Sequence, residues 1–331
     1  MMRFLVGAAV LGGCYTAPPP AAPPPPAHGA PIATPSRDYR GALADPVGFL
    51  PMDSELVVAV DGEQVRKSPL WTLADQKLRA AAGSGLTTFI SMCGVDPIAS
   101  VRGITMGLRG LKQDVPEGVI VITGLSRTKI GDCFERASAN GPSPVTVDHG
   151  VYTIRRDASD PTALAFTFVD EATLVVHLAP SATHASLEKV LAAGTPLRRS
   201  PAFTQLLAQV DTSAAVWGIA NGRSSVFDLT QGNQKPSAMW GSMQLDGGAS
   251  VSMRMRFNDA SVAQQLATQV QSQITTAQMF FDRLDVSADG ADLVVDVEMS
   301  ESKLTSLLSL LGMTTPTQPP PTPGLGGTTG P

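Results

Sequence analysis

The sequence predicts an α+β protein made of two related units, each an antiparallel sheet with helices on one face. Three observations predict it. Residues 251–257 alternate, with Val251, Met253, Met255 and Phe257 on one side and Ser252, Arg254 and Arg256 on the other, as a half-buried antiparallel strand does. Strand-like apolar runs alternate with helical patterns through the middle of the chain. The second half also echoes the first. Arg66-Lys67-Ser68-Pro69-Leu70-Trp71-Thr72 returns as Arg198-Arg199-Ser200-Pro201-Ala202-Phe203-Thr204, and Leu174-Val175-Val176-His177-Leu178 returns as Leu293-Val294-Val295-Asp296-Val297.

Taken in order, Leu56-Val57-Val58-Ala59-Val60 is a strand. Ser68-Pro69 then starts a helix, with Ser as its cap and Pro in the first turn, where no amide donor is needed. Strands are expected near 101–110 and 118–124, a helix at 127–139, strands at 145–156, 163–169 and 172–179, and a helix at 181–193. His149-Gly150 marks a hairpin turn inside the first of those later strands. The second half offers strands near 214–220, 239–246 and 249–257, a long helix at 259–278, and strands at 282–288 and 291–299. The units span 46–194 and 195–313, near the usual size of a domain.

The flanks differ in kind. Of 27 prolines, nine fall between Pro18 and Pro35 and six between Pro316 and Pro331. Proline fixes φ and lacks a donor, so residues 14–45 read as an extended, semi-rigid tether. The Thr/Pro/Gly-rich tail 314–331 reads as disordered. Residues 1–13 have the layout of a secretory signal: Arg3, an apolar run from Phe4 to Leu11, then small residues. That run is too short to span a bilayer, which takes about 20 apolar residues. Leu11-Gly12-Gly13-Cys14 resembles the lipobox of bacterial lipoproteins. The resemblance implies lipidation of Cys14 and cleavage before it, with several acyl chains giving a stable anchor. Tyr15 stands where an Asp would resemble an inner-membrane retention signal, which leans the expected location towards the outer membrane.

Cys93 and Cys133 are the other cysteines. An exported chain matures in an oxidising compartment, so an even remaining pair reads as a disulfide, against the alternative of two buried free thiols.

Several chemistries find no support. A net charge of −5 argues against a nucleic-acid binder, which needs clustered positive charge to displace counterions. The four histidines, His28, His149, His177 and His184, show no metal-ligand spacing. No Gly-x-Ser-x-Gly elbow or phosphate-binding glycine loop occurs, and Gly83-Ser84-Gly85 reads as a flexible break after a helix. No catalytic residue, metal or cofactor is assigned. Asp53, Glu55 and Asp61 read as solvated ends of elements. Arg254 and Arg256 read as cross-strand partners of Asp296 and Glu298, with an anion-binding face as the sharper alternative. Trp217 and Trp240 read as core. The polar loop 222–237 between them is a candidate binding loop.

Leu50-Pro51-Met52-Asp53-Ser54-Glu55-Leu56-Val57-Val58, Ser68-Pro69-Leu70-Trp71, Cys93-Gly94-Val95-Asp96-Pro97 and the helical Cys133 together resemble uncharacterised lipoproteins of the myxobacterial type, over about residues 50–310. The resemblance implies an envelope location and supports the Cys93–Cys133 pair, and it brings no activity. The expected function is therefore that of a membrane-anchored, non-catalytic envelope module that binds a protein or cell-wall partner. The alternative is a carrier of an apolar ligand in a cavity lined by Met253, Met255 and Phe257.

Overall fold

The computed structural model describes residues 45–310, apart from 114, 140–144, 156–162, 194–195, 228–234 and 275–277. Cys14, the signal, the tail, nearly all of the tether and the centre of the 222–237 loop lie outside the described residues.

The β-branched run Leu56–Asp61 forms strand β1. Asp61 closes it and caps the short helix α1 (Gly62–Lys67), accepting from the amides of Glu63 and Gln64. The next helix, α2, spans Trp71–Cys93 and has no side-chain cap. Ser68 does not cap it as the sequence predicts, because its hydroxyl turns back to the Val65 carbonyl and ends α1. The Gly83-Ser84-Gly85 break falls inside α2, where Gly83 has φ 59° and ψ −149°. The helix ends at Gly94, whose φ of 66° is a left-handed conformation that glycine adopts at least cost. Asp96 then caps α3 (Pro97–Ser100).

Strands β2 (Gly103–Arg109) and β3 (Glu117–Thr123), helix α4 (Arg127–Ala139) and strands β4 (Val145–Asp148), β5 (Val151–Arg155), β6 (Ala163–Phe168) and β7 (Thr173–Ala179) follow. His149-Gly150 makes the predicted tight turn between β4 and β5. Helix α5 (His184–Ala192) begins with a capping box formed by Thr183 and Ser186. Helix α6 (Pro201–Leu207) starts as read, with Ser200 as cap and Pro201 in the first turn. The remaining elements are β8 (Val216–Asn221), β9 (Ala238–Gln244), β10 (Gly248–Arg256), α7 (Ala260–Ile274), β11 (Arg283–Asp289), β12 (Asp292–Ser300) and α8 (Glu301–Leu310).

All twelve strands join one antiparallel sheet, in the order β11-β12-β10-β9-β8-β1-β2-β3-β7-β6-β5-β4. The expected sheet per half is thus replaced by a single sheet, because β1 pairs with β2 on one side and with β8 on the other. The echoes behave differently. Leu174 and Leu293 both lie on strands that pair with the third strand of their half, β7 on β3 and β12 on β10, and each strand leads into a helix. Ser68-Pro69 follows the first strand of its half, whereas Ser200-Pro201 precedes it, so that echo does not mark matching places.

Helices lie on both faces, not on one. On the first face, Leu187 and Leu191 of α5 and Phe203, Leu206 and Leu207 of α6 share a buried cluster with Val57, Val121, Val175, Trp217 and Trp240. On the second face, Phe89, Cys93, Cys133 and Phe134 of α2 and α4 pack on Tyr152, Phe166 and Val176. At the far end of the second face, Ala263 and Ala267 of α7 pack on Val286 and Leu293. The cause lies in β3 and β7, whose central residues are apolar on both faces and need cover on both.

Candidate functional site

The pairing registers define what the second face carries. One row of directly opposed residues runs Val176, Ile120, Met106, Val58, Gly218, Gly241, Met253, Val295, Val286 across nine strands. The same-face rows on either side, through Leu56 and through Val60, are likewise apolar or glycine at every position. The ends of the rows lie under α2 and α4 at one side and under α7 at the other. Between them, on β2, β1, β8, β9 and β10, most side chains are only half-buried, including Met106, Val58, Val60, Met239, Met243, Val251 and Met253. Gly218 and Gly241 sit side by side at the centre and leave the floor low there. The result is an apolar trough with helical flanks. At about 4.8 Å per strand and 3.4 Å per residue, its floor has an area on the order of 300–400 Å². Apolar patches of a few hundred Å² are often functional, which makes the trough a candidate interaction surface. Methionine supplies much of it, and its flexible thioether adapts to irregular partners.

Met253 lies on this trough floor as the sequence reading placed it, whereas Met255 packs at its edge against the α7 cluster and Phe257 is buried beneath α7. The first face at the same end of the sheet is polar. There Arg256 pairs with Asp292 through two hydrogen bonds of 2.7 and 2.9 Å, and its guanidinium lies 4.8 Å from the Trp240 ring centroid. Arg254 reaches Asp289 at 3.2 Å. Cross-strand pairing is therefore correct in kind, but the acids are Asp292 and Asp289 rather than Asp296 and Glu298. Asp296 stands opposite Ser252 in the β10 register. With these partners in place, the two arginines do not form an open anion-binding face.

A second concavity, about 730 Å³, opens on the first face beside α6 and is lined by Asp61, Glu63, Arg102, Thr105, Arg198 and Thr204 among others. Its charges are matched: Arg198 bonds Asp45 at 2.6 Å, and Arg102 stands 3.5 Å from Glu63. Burial opposes ionisation of Asp61, but the donors of Gln64 and Glu63 outweigh it and hold the carboxyl below its usual range. Asp53 and Glu55, read as solvated ends, are engaged: Asp53 pairs with Arg109, and Glu55 accepts from the Gly110 amide.

Cys93 and Cys133 are joined as a disulfide, with Cα atoms 5.0 Å apart, tying the end of α2 to the middle of α4. Trp217 and Trp240 are core residues. The Trp240 ring nitrogen has no hydrogen-bond partner among the described residues. His177 is half-buried on β7 and meets the Ser186 hydroxyl at 3.1 Å. Burial lowers its pKa, with Glu117 opposing and Arg109 assisting. One grouping escaped the sequence reading. Asp148 and His149 at the β4–β5 turn meet His184 at the start of α5, with one ligand-type atom from each residue all within 4.8 Å of one another. No linear motif links positions 148, 149 and 184, so spacing alone had no way to show it.

The class these features define is a single twelve-stranded antiparallel sheet, covered by helices in part on both faces, with an open apolar trough between two helical flanks. The particular likeness is to two solved structures of TP0453. Crystal form IV of that protein superposes with a TM-score of 0.51 at 11% identity, covering 80% of this chain and 96% of that one. Crystal form III gives 0.52 at 13% identity, covering 80% and 98%. At such identity the likeness is one of fold. No family model matches the chain, and no curated protein does either, so the myxobacterial-type resemblance has no sequence match behind it. Among the described residues, no helix is long and apolar enough to cross a membrane.

Proposed function

We propose that this protein is a lipid-anchored envelope lipoprotein, held through Cys14, that works as a non-catalytic module and seats the apolar surface of a protein partner in the trough. The observation that carries the reading is the unbroken apolar character of the three rows, combined with their incomplete cover between α4 and α7. An apolar floor suits a protein surface better than the polar glycan of a cell wall, because polar groups buried there would lose water without gaining partners. An apolar small-molecule ligand is the second reading, favoured by the central dip at Gly218 and Gly241.

Adjacent residues of β10 supply the test, because they point to opposite faces. A photo-cross-linking residue at Met253 probes the trough, and one at Ser252 probes the opposite face. In the native envelope, the expected result is a protein adduct at position 253 and none at 252. Lipid adducts alone at 253 would support the carrier reading instead, and equal labelling at both positions would remove the trough from the argument.

A further inference from the structure

We propose that Asp148, His149 and His184 form a binding site for a divalent transition-metal ion of the zinc type, separate from the trough. Three observations converge on it. First, both imidazoles aim the same atom at the same carboxylate. His149 Nδ1 lies 2.5 Å from Asp148 Oδ1, and His184 Nδ1 lies 3.5 Å from Asp148 Oδ2. The donors come from two elements, the β4–β5 turn and the first turn of α5, so they converge through the fold and not through local sequence. Second, the two rings stack, with centroids 5.6 Å apart and planes 15° from parallel, so the two imidazoles already stand side by side. Third, among the described residues His149 is the only non-glycine with positive φ, at 48°. A two-residue turn of this hand favours Asn or Gly at that position, so an imidazole there is held at a conformational cost.

Two imidazole nitrogens and one carboxylate form a donor set for Zn²⁺, which takes N at about 2.0–2.1 Å and O at about 2.0–2.2 Å and leaves further positions to water. Donor atoms within 4.8 Å of one another reach that geometry with side-chain rotations of modest size. Asp148 supplies the negative charge, and solvent access is direct, since the His149 side chain is 82% exposed. A bound ion would fasten the turn beside the edge strand β4 to α5.

The test is titration of the full, tag-free chain with Zn²⁺ alone by calorimetry in a non-chelating buffer, alongside thermal unfolding with and without the ion. The expected result is one ion bound and a higher Tm in its presence. His184→Ala and His149→Gly should each weaken binding by at least the ~10–100-fold that loss of an outer-shell partner already costs. His149→Gly is the decisive variant, because glycine suits the positive φ and the turn survives without the ligand. His177→Gln should bind as the wild type does. Absence of Zn²⁺ binding, or binding undiminished in His149→Gly and His184→Ala, would overturn the proposal.

Discussion

Replacing both Cys93 and Cys133 by alanine tests how the helices over β5–β7 are held. The bridge joins residues 40 positions apart. In the chain-entropy model, closing a loop of that length removes about 13 cal/mol/K from the unfolded chain, or about 4 kcal/mol at 25 °C. The sulfurs also fill space: Cys133 is fully buried and Cys93 nearly so, in the cluster with Phe89, Phe134 and Phe166. Removing them adds about 1 kcal/mol of lost packing. The double variant should therefore lose about 4–5 kcal/mol. In urea, with a slope of about 2–3 kcal/mol/M, the midpoint would fall by roughly 1.3–2.5 M. Circular dichroism gives the transition, and dithiothreitol should move the wild-type curve in the same direction. A shift below about 0.5 M would show that the α2–α4 seam opens without limiting global unfolding, and the entropic reasoning would fail for this protein.

Other perturbations have definite expected outcomes. Arg256→Ala strips the partner from Asp292, a carboxylate only 6% exposed, and should cost about 2 kcal/mol by urea denaturation. Adding Asp292→Asn to that variant should recover part of the loss, and additive effects would argue against the pair. Gly124→Ala should destabilise by about 2 kcal/mol or more, since Gly124 has φ 98° and a Cβ there would lie 2.3 Å from the Ser100 carbonyl oxygen; a neutral outcome in thermal unfolding would contradict the contact. His177 has its pKa lowered from 6.5 by burial, so on acidification the unfolded chain binds this proton before the folded one. Its contribution is therefore complete above about pH 6.5 and is lost as pH falls below it. His177→Gln should flatten the wild-type decline between pH 7 and 5, and unchanged pH profiles would count against it.

Much of the local structure was legible in the sequence. Ser200-Pro201 marks a helix start because both residues act through the first turn alone, and His149-Gly150 marks a turn for an equally local reason. The strict alternation at 251–257 shows one apolar face, and the structure confirms it. What sits on that face was not legible. The run Leu56 to Val60 reads as apolar on both sides, which ordinarily means cover on both sides. Here Val57 and Ala59 are buried while Val58 and Val60 are half-exposed on the trough floor. The difference depends on where helices land, and that is decided by pairing between distant strands. The partners of Arg254 and Arg256 were missed for the same reason. The β10–β12 register, formed between strands separated by α7 and β11, brings Asp292 opposite Arg256 and leaves Asp296 opposite Ser252.

The pairing of β1 with β8 also has a kinetic consequence. Residue 58 faces residue 106 on one side and residue 218 on the other, a separation of 160 positions on the latter side. As the chain emerges from its N-terminus, β1 has one neighbour only until β8 has followed it. A sheet knit by such distant pairings forms slowly, because loop closure must precede the contacts that reward it. During that wait the apolar edge of β1 is open to any other strand. The β8-facing edge of β1 is therefore open to wrong pairing until residue 221 is free.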